Sequence, residues 1–222
     1  MKDLRLILVE TVLTMQNLQA NKIVGLYEFG SLVYGTAHEN SDYDYVVILD
    51  VSDELYEHFE NKDLDIHIFS IESFKHKLIE HDIMVLETFF NPHPIIKYDV
   101  DFKLDLVKLR HKISAIVSNS WVKAKKKVLL EDEDSFIGWK SLFHSVRLLS
   151  FGIQMAELGR IEKFDGLVDF WNELLTKMNN GDDITKVMAE IKPQHNVNAT
   201  KFRSLTPKEY PIKTIEVKIN EI

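Results

Sequence analysis

Three short runs hold the residues with the clearest chemical capacity in this chain: Glu28-Phe29-Gly30-Ser31, Tyr34-Gly35-Thr36 and Ser41-Asp42-Tyr43-Asp44. Glycine permits a tight turn and lets a phosphate approach the backbone closely. A serine opening a helix sets a hydroxyl beside N–H groups that lack intrahelical partners, a combination that favours an anion. Asp42 and Asp44 stand two apart on an expected strand, so their carboxylates project from one face. Two such carboxylates repel, and one pKa rises, unless a cation joins them. A hard, oxygen-seeking ion such as Mg²⁺, held by one or two carboxylates plus substrate phosphates, resolves the conflict. A third carboxylate on a neighbouring strand completes a two-metal site. One ion then lowers the pKa of an attacking hydroxyl, and the other clamps a triphosphate and its leaving pyrophosphate. Phosphoryl and nucleotidyl transfer depend mostly on positioning and charge stabilisation of this kind.

Asp65 is the best candidate for the third carboxylate, within Asp63-Leu64-Asp65-Ile66-His67-Ile68. Period-two alternation turns Leu64, Ile66 and Ile68 to one face and Asp65 with His67 to the other. Asp63 shares that parity but lies closer to the loop and ranks second. A further candidate stripe is Lys140, His144 and Arg147, spaced by four and three on an expected helix. Facing a cleft, it would bind β- and γ-phosphates, arginine as a planar fork and lysine as a point charge. Lys123 and Lys125-Lys126-Lys127 form a basic cluster after Trp121, but their angular spread around a helix reads as a solvated face. The nine histidines are scattered without compact ligand spacing, which argues against a zinc site. Ser31 has no nucleophile-elbow context, so hydrolase chemistry fits poorly.

The elements that must position these groups follow from periodicity. A first helix is expected over 2–20, with Leu4, Ile7, Leu8, Val12 and Met15 at helical spacing. A strand runs from Ile23 to Phe29, a short helix starts at Gly30-Ser31, and strands follow over Asp42–Leu49 and Leu64–Phe69, separated by a polar stretch through Asn61-Lys62. Ser70 or Ser73 caps the next helix, and Glu87 lies on a later one. Asn91-Pro92-His93-Pro94 breaks the chain, which places a domain boundary near 91–100. Beyond it, helices are expected over 101–130, 134–159, 166–178 and 183–191. From Pro193 the chain reads as polar and irregular, with a late strand at Ile212–Val217. The fold class expected is α+β: a mixed sheet with flanking helices in residues 1–98, then a mainly helical domain in 99–222.

Composition leaves this reading room. The 222 residues, 45% hydrophobic and 28% charged, suit a globular protein. A net charge of −8 argues against a surface coated in positive potential, yet a local basic groove remains compatible with it. No apolar run approaches the roughly 20 residues of a membrane span. The charged N-terminus lacks a signal-peptide block, so a cytoplasmic location, with no membrane partner, is the simplest expectation.

Gly30-Ser31, a ten-residue gap, then Asp42-x-Asp44 resembles the signature of the DNA polymerase β-like nucleotidyltransferase superfamily, over about residues 23–70. The resemblance implies a palm-like mixed sheet, with Asp42, Asp44 and Asp65 as catalytic metal ligands. Gly30 and Ser31 would hold the donor triphosphate, and two Mg²⁺ ions, or Mn²⁺, would serve as cofactors. The longer run Gly30-Ser31-Leu-Val-Tyr34-Gly35-Thr36 to Ser41-Asp42-Tyr43-Asp44, with Asp65, Met84-Val85-Leu86-Glu87 and the segment from Trp139, is similar to predicted nucleotidyltransferases associated with RNA repair, which also occur in large phages. That narrower likeness implies transfer of a nucleoside monophosphate from an NTP, ATP being expected, onto an RNA or tRNA end, in a bacterial or phage-infected cytoplasm. Small superfamily members that adenylylate a partner protein as antitoxins give a protein acceptor as the alternative. Antibiotic adenylyltransferases give a small-molecule one. A non-catalytic nucleotide-binding module with the same fold is the reading from another class.

Overall fold

A computed structural model describes residues 3–130 and 135–208. In chain order the elements are α1 (Leu4–Met15), β1 (Ile23–Phe29), α2 (Gly30–Tyr34), β2 (Tyr43–Leu49), β3 (Tyr56–Glu60), β4 (Leu64–Ser70), α3 (Ile71–Ile79), α4 (Ile83–Phe90), α5 (Leu106–Leu130), α6 (Ser135–Leu158), α7 (Val168–Asn179) and α8 (Ile184–Leu205). The expected α+β class holds: a four-stranded mixed sheet with helices, followed by a helical C-terminal part. Strand order is β1-β2-β4-β3. β2 pairs antiparallel to β1 and parallel to β4, while β3 closes the edge antiparallel to β4.

Alternation along β2 and β4 explains how one sheet serves two purposes. Tyr45, Val47 and Leu49, with Leu64, Ile66 and Ile68, turn to one face and pack with Val9, Val12 and Leu13 of α1. Val46, Ile48 and Phe69 turn to the other face and join Phe74, Leu78, Val85 and Leu86 of α3 and α4. The same cluster takes in Leu109 and Ile113 of α5 and Leu148 and Phe151 of α6, so the sheet and the helical part share a continuous apolar core. On this helical side the first residues of β2 and β4 are polar instead. The register Asp44↔Asp65 and Val46↔His67 sets Asp44, Asp65 and His67 together on that face.

Several expectations are revised. The buried face of α1 is Val9, Val12 and Leu13, while Leu4, Ile7, Leu8 and Met15 are exposed, because the sheet covers only one side of the helix. β3 replaces the expected polar connection. Its residues are almost all exposed, as suits an edge strand, so it carries no apolar alternation to read. α5 starts only at Leu106, where the Asp105 carboxylate accepts from the N–H groups of Val107 and Lys108. α8 continues through Pro193 to Leu205 rather than stopping near 191. An interior proline costs about 3 kcal/mol. Burial of Phe202 in the main core offsets it, and the Arg110 guanidinium caps the helix end by donating to the carbonyls of Arg203 (2.7 Å) and Thr206. The expected late strand at Ile212–Val217 lies outside the described residues. No described helix is long and apolar enough to cross a membrane.

Candidate active site

A cleft of about 720 Å³ opens between the polar end of the sheet and the helices α5, α6 and α7. Gly30, Ser31, Asp42, Asp44, Asp65, Lys140, His144 and Arg147 all line it, together with Lys123 and the aromatic rings of Phe143 and Trp171. Sequence positions more than a hundred residues apart thus converge. Asp63 does not line the cleft. Its backbone carbonyl accepts from the Tyr43 N–H, which leaves Asp65 as the β4 carboxylate facing Asp44.

Local backbone geometry builds the sheet wall. Gly30 has φ +66°, and a Cβ there would fall 1.7 Å from Asp44 Oδ2. Only glycine lets the turn lie directly against that carboxylate. Gly35, at φ +69°, ends α2, and a Cβ there would meet Val168 Cγ2 at 2.7 Å, so the short helix seats closely on α7. The Ser31 backbone N–H donates to Asp44. Ser31 Oγ is buried without a hydrogen-bond partner, alone in that among the described side chains. A buried hydroxyl left unpaired is costly and points to a group that arrives later.

Negative charge is concentrated in the wall. Burial, then the neighbouring charges of Asp42 and Asp65, push the Asp44 carboxyl up to about 7, with Lys140 pulling weakly the other way. Asp42 just before β2, Asp44 on β2 and Asp65 on the adjacent β4 offer oxygen donors of the kind a hard divalent cation takes. Asp42, Asp44 and Asp65 are the residues that would hold it.

The opposite wall departs from the expected cationic stripe. Lys140 is exposed at the cleft, its ammonium 5.6 Å from the Phe136 ring centroid. Lys123, read from the sequence as one member of a solvated cluster, also lines the cleft. His144 is neutral near pH 7, since burial, then the charges of Arg147 and Lys123, drop it to about 4. Its Nδ1 accepts from Arg147 at 3.0 Å, so Nε2 carries the proton. Arg147 is committed elsewhere. Its guanidinium donates to Glu87 Oε2 at 3.0 Å and stacks 3.4 Å above the Tyr34 ring, with both ends of the ion pair buried. Tyr34 Oη donates to the same carboxylate oxygen. Arg147 thus joins α2, α4 and α6 through Tyr34 and Glu87 while still lining the cleft. Sequence reasoning placed Glu87 on a helix without a partner, because the contact spans 60 positions.

Comparison with known families agrees with this geometry. The profile described as "Nucleotidyltransferase domain" matches residues 14–131, just over half of the chain. The chain belongs to the nucleotidyltransferase-domain family. That match covers the whole sheet, the cleft-lining Gly30 and all three carboxylates. A crystal structure of a nucleotidyltransferase-like protein from Exiguobacterium sibiricum 255-15 aligns over 88% of this chain and 72% of its own, at 9% identity and a TM-score of 0.29. No curated protein is matched.

Proposed function

We propose that this nucleotidyltransferase moves a nucleoside monophosphate from an NTP, ATP first among them, onto a hydroxyl at an RNA or tRNA end, with pyrophosphate leaving. One observation carries the reading: three carboxylates and a partnerless Ser31 hydroxyl face two lysines across one cleft. Mg²⁺, when bound, supplies Lewis-acid activation of the attacking oxygen and neutralises charge on the triphosphate. Gly30 keeps the turn free of side-chain bulk, so the donor's phosphates approach the backbone. Ser31 Oγ donates to a phosphate oxygen and gains the partner it lacks. Lys140 and Lys123 lie across from the carboxylates, where they meet the charge that accumulates on the leaving phosphates. Neutral His144 adds an N–H donor rather than a cation. Arg147 keeps α6 and α2 in register through Glu87 and Tyr34. Lysines on the helical wall also suit an acceptor with a phosphate backbone, which supports RNA over a small neutral acceptor.

The test is incubation with Mg²⁺ and each α-³²P-labelled NTP, offering total RNA or cell lysate as acceptor, beside an Asp42→Asn/Asp44→Asn control. Label on RNA, absent from the control, is the expected result. Label confined to a protein band replaces the RNA acceptor with a protein one. No label and no pyrophosphate, with NTP still bound, overturns the transferase reading in favour of a binding module.

A further inference from the structure

The outer edge of the sheet carries a second cluster of ligand-type side chains. β3 and β4 pair with His58 opposite His67 and Glu60 opposite Asp65. Residues opposite one another in an antiparallel pair share a face, and so do residues two apart on one strand. His58, His67 and Asp65 therefore stand together on the cleft side of the edge. His58 Nε2 lies 2.7 Å from Asp65 Oδ1, and His67 Nε2 lies 3.4 Å from the same oxygen. One ligand atom from each of the three falls within 4.8 Å of the others. The sequence placed Asp65 and His67 on one face, but not His58, because it sits on a second strand, β3, that had no readable pattern.

We infer that His58, Asp65 and His67 form a binding site for a first-row divalent transition ion of the zinc type, separate in its ligand chemistry from the all-oxygen carboxylate wall. Two imidazole nitrogens with one carboxylate suit zinc, cobalt or nickel, whereas magnesium takes oxygen ligands. Tetrahedral zinc with ligands near 2.0–2.1 Å sets its ligand atoms about 3.3 Å apart. The Asp65–His67 spacing already matches that figure, and the Asp65–His58 contact opens slightly. The imidazole planes lie 2° from parallel with centroids 4.4 Å apart, so ligation tilts the rings toward each other.

A second observation supports ligation by His67. Its Nδ1 lies 2.9 Å from Tyr56 Oη, and the Tyr56 ring stacks on it at 10°. With Nδ1–H donating to that hydroxyl, Nε2 presents its lone pair to an ion, the usual outer-shell arrangement of a metal-bound histidine. The side chains of His58, Asp65 and His67 are 37%, 25% and 14% exposed, which leaves an entry path and an open coordination position. Both histidines meet Oδ1, so Oδ2 of Asp65 is left for the cleft.

The experiment titrates Co²⁺ into the metal-stripped full chain and reads the visible ligand-field bands of nitrogen-bound cobalt. One equivalent should develop bands that Zn²⁺ then displaces. His58→Ala and His67→Ala should each abolish them, and His58→Asn provides a second variant should His58→Ala disturb the edge strand, with circular dichroism reporting the fold. Tyr56→Phe should weaken binding about 10- to 100-fold. Asp42→Asn should leave the bands intact. Absence of bands, bands that persist in a folded variant of either histidine, or bands lost in Asp42→Asn would each overturn the site. Transfer of label from an NTP is read separately, so a failed transferase reading leaves this result standing, and the reverse.

Discussion

Two walls of one cleft treat charge in opposite ways. On the helical side, Arg147 and Glu87 are buried almost completely, yet each has its counter-charge at 3.0 Å and the Tyr34 hydroxyl completes the pair. Burial would depress the Arg147 guanidinium, but Glu87 and then Tyr34 outweigh it and hold it charged. On the sheet side, Asp42, Asp44 and Asp65 line one cleft, and burial with the charges of the other two raises Asp44 to about 7. Paired buried charge acts as architecture here, whereas like charges gathered in a cleft raise a carboxyl pKa and favour a cation. Burial alone does not separate the two cases; the state of the partner does.

Breaking the compensated pair should have the largest effect. Glu87→Ala strands a buried guanidinium and should destabilise the fold by about 3–5 kcal/mol, read by urea unfolding. Replacing both ends with apolar residues, Glu87→Leu with Arg147→Met, should recover most of that loss. Full recovery of NTP binding in this double variant would confirm that Arg147 is a tie and not a phosphate ligand.

The opposite wall should respond in the opposite sense. Asp44→Asn should lower the rate of transfer by about 10²–10³ while leaving the apo protein at least as stable as the wild type, since one of three crowded charges is gone. Lys140→Ala and Lys123→Ala should each weaken NTP binding by about tenfold, roughly 1.4 kcal/mol, with little change in folding. Unchanged binding in both would reduce these lysines to surface charge.

The same wall can also be read through pH dependence. Asp44 is raised from its ordinary 3.8 to about 7, so its contribution to stability is full below 3.8 and is lost as pH rises through 7. Apo wild type should therefore lose thermal stability across that window, and Asp44→Asn should lose less. The difference at pH 8 should be about 2–4 °C for each kcal/mol relieved in a chain of this size. Mg²⁺ with bound nucleotide should flatten the wild-type curve toward that of the variant.

What the sequence reveals follows the range of the interactions. Gly30-Ser31, Asp42, Asp44 and Asp65 were legible because turn chemistry and strand parity act over a few residues. β2 and β4 were legible because burial on both faces makes them apolar runs after a polar start. β3 was not, since exposed Tyr56, Glu57 and His58 alternate nothing apolar. The continuation of α8 past Pro193 was hidden because it depends on the burial of Phe202 far from the proline. Arg147 lines the cleft, but its pairing with Glu87 was not legible, because the two are 60 positions apart. Lys123 shows the same limit in reverse: its neighbours made it look solvated, and the facing sheet makes it part of the cleft.

The most direct test of the carboxylate wall is calorimetric titration of a non-hydrolysable ATP analogue, with and without Mg²⁺, into wild type and Asp42→Asn/Asp44→Asn protein. Binding should need Mg²⁺ in the wild type and be at least about tenfold weaker in the double variant, while that variant melts no lower than wild type at pH 8. Equal affinity and equal Mg²⁺ dependence in the folded double variant would contradict it.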